Sequence, residues 1–217
     1  MNNPFVISLL FTAATRVVFA QESAAPPPVT FDFQSCDAGG IPSELTLTEA
    51  DSKFSIVADG DNKLLQMAPL PIVDGGVLLG NSVKGAVRVN AKIKAAGKRR
   101  SSPRFGVGLH GVGGYRLLVV PAHKELQLMK DDAVMARIPF SWTSGTWTQL
   151  EFSVMKAAAG GSLLEGRAWG EGQTRPAAAQ ITLSVPTPPA QGKASLWATP
   201  YSELPVDFDD VTVTPGP

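Results

Sequence analysis

Val87-Arg88-Val89-Asn90-Ala91-Lys92-Ile93-Lys94 alternates apolar and polar side chains without a break. Only an extended strand, whose side chains point to opposite faces in turn, puts every apolar residue here against a core and every polar one in water. Thr148, Leu150, Phe152 and Val154 alternate with Trp147, Gln149, Glu151 and Ser153 in the same way. Shorter runs of this kind are Phe54–Ala58, Leu64–Met67, Phe105–Leu109, Tyr115–Val120, Glu125–Lys130 and Ala133–Ile138. Leu163–Trp169, Gln180–Val185, Lys193–Ala198 and Pro205–Val213 follow them. Turns rich in Gly, Asp and Pro separate the runs, and no segment sustains the 3.6-residue apolar period of a helix. The sequence therefore predicts an all-β fold, a two-sheet antiparallel sandwich or a barrel, with little or no helix.

The 217 residues suit one domain with a real core, 44% of them being hydrophobic. Nineteen basic and nineteen acidic side chains cancel, which argues against nucleic acid as a partner, because phosphate binding requires a basic surface. One Cys and two His are too few for a zinc site built from those ligands. Phe5–Phe19 is mostly apolar, interrupted by Arg16, and ends in Val18-Phe19-Ala20. A short apolar run with small or aliphatic residues before the cut describes a secretory signal peptide over residues 1–20, and the run is too short to span a bilayer. Residues 21–29, with Pro26-Pro27-Pro28, form an extended linker, and residues 30–214 form the domain. The expected location is periplasmic or extracellular, with no transmembrane segment in the mature chain. In that oxidising setting the lone Cys36 is either buried and inert or bridged to another molecule.

Several motifs, taken in order, resemble a known family. Gly106-Val107-Gly108-Leu109, Gly114-Tyr115-Arg116-Leu117 and Leu126-Gln127-Leu128 are similar to central hairpins of laminin G-like, concanavalin A-like jelly rolls. Phe140-Ser141-Trp142 with Gly145-Thr146-Trp147, Arg167-Ala168-Trp169, and Val206-Asp207-Phe208-Asp209-Asp210-Val211 continue that likeness. The order resembles bacterial secreted domains of this superfamily, including those related to 3-keto-disaccharide hydrolases. The resemblance implies a jelly-roll sandwich over residues 30–214; it leaves activity open, since the superfold hosts lectins, glycanases and interaction modules.

First and last strands commonly pair in jelly rolls, which would bring Asp32 near Asp209 or Asp210. Phe208 and Val211 would both face inward, with Asp209-Asp210 as a bulge or outward pair. Clustered carboxylates repel unless a cation or a basic group lies among them. Calcium, a hard cation with oxygen ligands, is one expectation for Asp32, Asp209 and Asp210; turn-capping, solvent-facing acids are the other.

If Gly111–Gly114 is a four-residue loop, opposed residue numbers sum to 225, pairing His110 with Tyr115 and Val107 with Leu118. His110 and Tyr115 would then stand beside Gly106 and Gly108 on the face away from the core, at the mouth of a trough suited to stacking a sugar ring. Otherwise Tyr115 belongs to the core, and a slip of one residue exchanges the faces. In the second hairpin, pairing Val154–Leu164, Phe152–Gly166 and Leu150–Ala168 sets large residues against small ones. Glu151 then opposes Arg167 and Gln149 opposes Trp169, so Arg167 and Trp169 form a second candidate sugar platform, unless Trp169 packs under the Gly170–Pro176 loop.

The closely spaced Glu-x-Asp-x-x-Glu acids of the superfamily's glycanases have no counterpart here, and a Trp-Gly turn separates Glu165 from Glu171. Serine-hydrolase, zinc-protease and phosphate-loop motifs are missing too. The favoured expectation is a secreted, non-catalytic binding module for extracellular carbohydrate. The alternatives are a glycoside hydrolase or lyase of the same fold and a structural or protein-interaction domain with an extracellular partner.

Overall fold

The computed structural model describes residues 26–69, 74–158, 160–201 and 203–216. The expected leader, residues 1–20, lies outside the described residues, as does most of the linker before Pro26. The chain runs through β1 (Val29–Phe31), β2 (Leu45–Leu47), β3 (Phe54–Asp59), β4 (Asn62–Met67) and β5 (Gly75–Val83). It continues through β6 (Val87–Ala95), β7 (Arg104–Leu109), β8 (Tyr115–Val120), β9 (Glu125–Lys130) and β10 (Ala133–Pro139). It ends with β11 (Trp147–Lys156), β12 (Ser162–Gly170), β13 (Ile181–Val185), β14 (Gly192–Thr199) and β15 (Val206–Pro215).

Two antiparallel sheets result. The larger has the order β13-β12-β11-β6-β15-β4-β3, with β1 also pairing β15; the smaller has the order β10-β9-β8-β7-β14-β5-β2. The alternation along Val87–Lys94 is obeyed: Val87, Val89, Ala91 and Ile93 are at most 4% exposed and face the other sheet. Phe152 and Phe208 of the larger sheet and Phe105 and Leu117 of the smaller one are fully enclosed between the layers. No helix occurs among the described residues, and none there is long and apolar enough to cross a membrane.

The first and last strands do pair, Phe31 opposite Val211. The ladder of β15 on β6 slips between Asp209 and Thr212, and Asp210 takes a positive φ of 48°. This bulge lets Phe208 and Val211 both point inward, each fully buried. The β11–β12 register is the expected one throughout: Val154 opposes Leu164, Glu151 opposes Arg167 and Gln149 opposes Trp169.

The β7–β8 hairpin differs from expectation by one residue. Phe105 opposes Val119, Val107 opposes Leu117 and Leu109 opposes Tyr115. The cause is local: His110 adopts φ 67° and Gly111 φ 81°, which ends β7 at Leu109 and leaves five linking residues instead of four. Gly114 completes the turn, donating its N–H to the Gly111 carbonyl at 3.1 Å. A Cβ on Gly114 would collide with the Leu109 carbonyl, so the tight return needs glycine. Tyr115 consequently stands on the core face, 6% exposed.

Candidate functional site

The glycine trough predicted on the outer face of β7 exists, but the protein fills it. Trp197 of β14 lies between Gly106 of β7 and Gly76 of β5. A Cβ on Gly76 would come within 2.7 Å of the indole ring. The Trp197 Nε1–H donates to Ser195 Oγ at 2.8 Å, and the Arg116 guanidinium stacks 3.4 Å from the ring centroid. Arg116 and Arg104 both pair with Asp74, at 3.5 and 3.2 Å, and Thr199 donates to the same carboxylate at 2.6 Å. The outer surface proposed for a sugar is thus a closed stack of the chain's own side chains.

His110 and Tyr115 nevertheless meet, at one end of the sandwich. Both line a cleft of about 580 Å³ with Gly113, Lys130, Met135 and the Pro186–Ala190 strap that joins β13 to β14. That volume falls in the range of small-ligand sites. Lys130 Nζ sits 5.4 Å from the centroid of the Tyr115 ring. His110 is only 5% exposed, and its ring nitrogens are enclosed with no well-aligned hydrogen bond, the nearest approach being that of the Ala190 backbone. Burial pushes its pKa below the ordinary 6.5, the Ala190 backbone acting the other way. At neutral pH the ring is therefore uncharged, with one donor and one acceptor to offer. An imidazole, an ammonium and a phenol against a proline-rich wall suit a polyhydroxylated ligand, whose hydroxyls bond and whose C–H faces pack on rings.

Arg167 and Trp169 lie elsewhere, on the outer face of the larger sheet. Glu151, 4% exposed, accepts from Arg167 Nη1 at 2.9 Å and from both Nε and Nη2 of Arg175, at 2.7 and 2.6 Å. Arg88 approaches it at 3.9 Å. Although burial opposes ionisation, bonds and charges from Arg175, then Arg88 and Arg167, hold the Glu151 carboxyl below the usual range. Arg167 is thus engaged by the protein, and Arg175 brings the loop after Trp169 back across the sheet.

The three aspartates do not converge. Asp210 pairs with Lys92 at 2.9 Å; Asp209 accepts from its own neighbour's N–H at 2.8 Å and from Asn62 Nδ2 at 2.9 Å. Asp32 accepts from the Gln34 N–H at 3.2 Å, and the Gln34 side chain bonds Asn62. A lysine and two amides occupy the place expected for a cation. Among the described residues no three His, Cys, Asp or Glu side chains gather into a metal site. Cys36 is half-buried and unbridged.

No family model matches the sequence, and no curated protein does. Solved structures do match. The carbohydrate binding module CBM66 from Bacillus subtilis aligns with a TM-score of 0.57 at 12% identity, over 79% of this chain and 95% of its own. The shared feature is the two-sheet antiparallel sandwich. Lectin II from Ulex europaeus aligns with a TM-score of 0.58 at 11% identity, over 88% of this chain and 99% of its own. A marine PL-14 alginate lyase from Aplysia kurodai aligns at 0.51 and 11%, over 75% and 87%. At such identities the likeness is one of fold.

Sequence reading reached His110 and Tyr115 but missed Lys130, Thr187 and the strap. The one available signal was Pro186-Thr187-Pro188-Pro189, a run that can form neither a ladder nor a helix and so marks a stiff surface segment.

Proposed function

We propose that this chain is an exported, non-catalytic carbohydrate-binding domain whose glycan enters the end cleft between His110, Tyr115, Lys130 and the Pro186–Ala190 strap. The observation that carries this reading is His110. Its imidazole lies at the wall of the cleft with no well-formed hydrogen bond, a poorly satisfied buried group that costs on the order of 1–3 kcal/mol and that a ligand hydroxyl drawn into the cleft would relieve. The jelly-roll likeness to a carbohydrate binding module and a lectin supports the same direction. No carboxylate lines the cleft, so the acid pair that glycoside hydrolysis calls for is not assembled around it.

The test is retention on a panel of immobilised neutral polysaccharides, with His110→Asn, Lys130→Ala and Tyr115→Phe as variants. Tyr115→Phe keeps the core ring and removes only the hydroxyl. Each loses about fivefold to tenfold in affinity if the cleft holds sugar; unchanged retention of all three would remove the cleft from consideration. A protein partner is the second reading, favoured by exposed Val112, Val134 and Met135 beside the cleft. It gains if no polysaccharide is retained. Export rests on the 1–20 leader, and N-terminal sequencing of protein recovered outside an exporting cell should begin at Gln21.

A further inference from the structure

At the far end of β7 and β14 from the cleft, the chain between β6 and β7 makes a turn that its residue types do not favour. Lys98 N–H donates to the Ser101 carbonyl at 2.9 Å and Ser101 N–H to the Lys98 carbonyl at 3.0 Å, leaving Arg99 and Arg100 at the tip. Arg99 takes φ 59°, the left-handed conformation that calls for Gly or Asn at the first central position of such a turn. An arginine held there is strained, and strain of this kind concentrates where a side chain serves a ligand. Lys98, Arg99 and Arg100 line a hollow of about 480 Å³ with Ser101, Tyr201 and Glu203.

Charge in the hollow is unbalanced. Glu203 reaches only Lys98, at 3.5 Å, and among the described residues Arg99 and Arg100 have no acidic partner within 4.0 Å. Three cations against one carboxylate mark a local positive site on a chain of zero formal charge. The guanidinium groups of two successive arginines each offer paired N–H donors, which bind two oxygens of a sulfate or a carboxylate at once. Tyr201, 45% exposed, supplies a ring at the wall. The hollow is far roomier than an inorganic anion requires, and the apolar face of the exposed Tyr201 ring has nothing to offer such an ion. A sugar ring bearing the anion uses both.

We infer that the Lys98–Ser101 turn and Tyr201 form a second site, separate from the cleft, for an acidic polysaccharide held through its sulfate esters or carboxylates. Binding of the intact protein to dextran sulfate, polygalacturonate and plain dextran tests it. Retention on one or both acidic polymers, weakening as NaCl rises past about 0.15 M, and none on dextran is the expected result; the two acidic arms tell sulfate from carboxylate. Arg99→Gly with Arg100→Ser relieves the turn, so the variant folds with an undiminished melting temperature, yet it should lose at least about tenfold in affinity. Tyr201→Ser should weaken polymer binding while leaving inorganic sulfate equally able to compete. Unchanged affinity in the double variant, no retention on either acidic polymer, or equal retention on a DNA duplex or on phosphatidylglycerol vesicles would overturn the proposal. None of these outcomes bears on the cleft, whose variants lie at the other end of the strands.

Discussion

The two hairpins β7–β8 and β11–β12 are built from similar alternating strands, yet only the second could be aligned in advance. In β11–β12 the side chains carry the register: Gly166 opposite Phe152 leaves room for Leu117 of the other sheet, and Glu151 needs the charge of Arg167. A slip of one residue would expose the core set and separate the ion pair. In β7–β8 nearly every residue is apolar or glycine, so several pairings look alike and the turn decides. That turn depends on a histidine in a left-handed conformation, which residue type alone does not announce. Register is legible where neighbours differ in size and charge; where they do not, it is hidden in the backbone.

The sharpest way to break this contrast is Tyr115→Ala. With Tyr115 facing the core, the change should cost about 3–5 kcal/mol, read as a large fall in the urea midpoint. A near-neutral result would restore the register summing to 225 and put the ring outside. Glu151→Ala comes next, at about 3 kcal/mol, because it removes the close, buried partner of Arg167 and leaves only Glu165 at 3.5 Å. Its pH dependence has a definite sign. The Glu151 carboxyl is held below its ordinary 4.5 in the folded state, so its stabilisation is fully present above that value. It is lost as pH falls through the lower folded value, and wild type and Glu151→Gln should converge in acid.

The smallest expected effect sharpens the role of the turn. His110→Asn should change stability by less than about 1 kcal/mol at pH 8, since Asn accepts the left-handed conformation readily. Burial lowers the folded pKa of His110 below 6.5, so the unfolded chain takes up the proton first and wild type loses stability as pH drops below 6.5. The Asn variant should lack that loss, and matching acid profiles would show that His110 is hydrated.

Much of the sandwich was readable from period and turn chemistry, and the bulge at Asp209-Asp210 was one of two readings of that pair. Strand β5 was not. Gly75, Gly76 and Gly80 with Asn81 and Ser82 have the composition of a loop, and β5 exists because those glycines admit Trp197 and Met67 at close range. The cleft was half readable for a related reason: His110 and Tyr115 stood out as residue types, whereas the strap that closes over them arrives from some seventy residues later in the chain. The aspartates were read as one cluster because no periodicity shows that Lys92 reaches Asp210 and Asn62 reaches Asp209.

The placement of β15 also sets a timetable. It lies between β6 and β4 and pairs with β1 as well, so the middle of the larger sheet is the last part of the domain to be synthesised. A nascent chain that stops short of Val206 holds β6 and β4 with their facing edges open and cannot join the two halves. Folding of the domain is thereby deferred until β15 has been made, and a chain stalled before it presents unpaired strand edges to its neighbours.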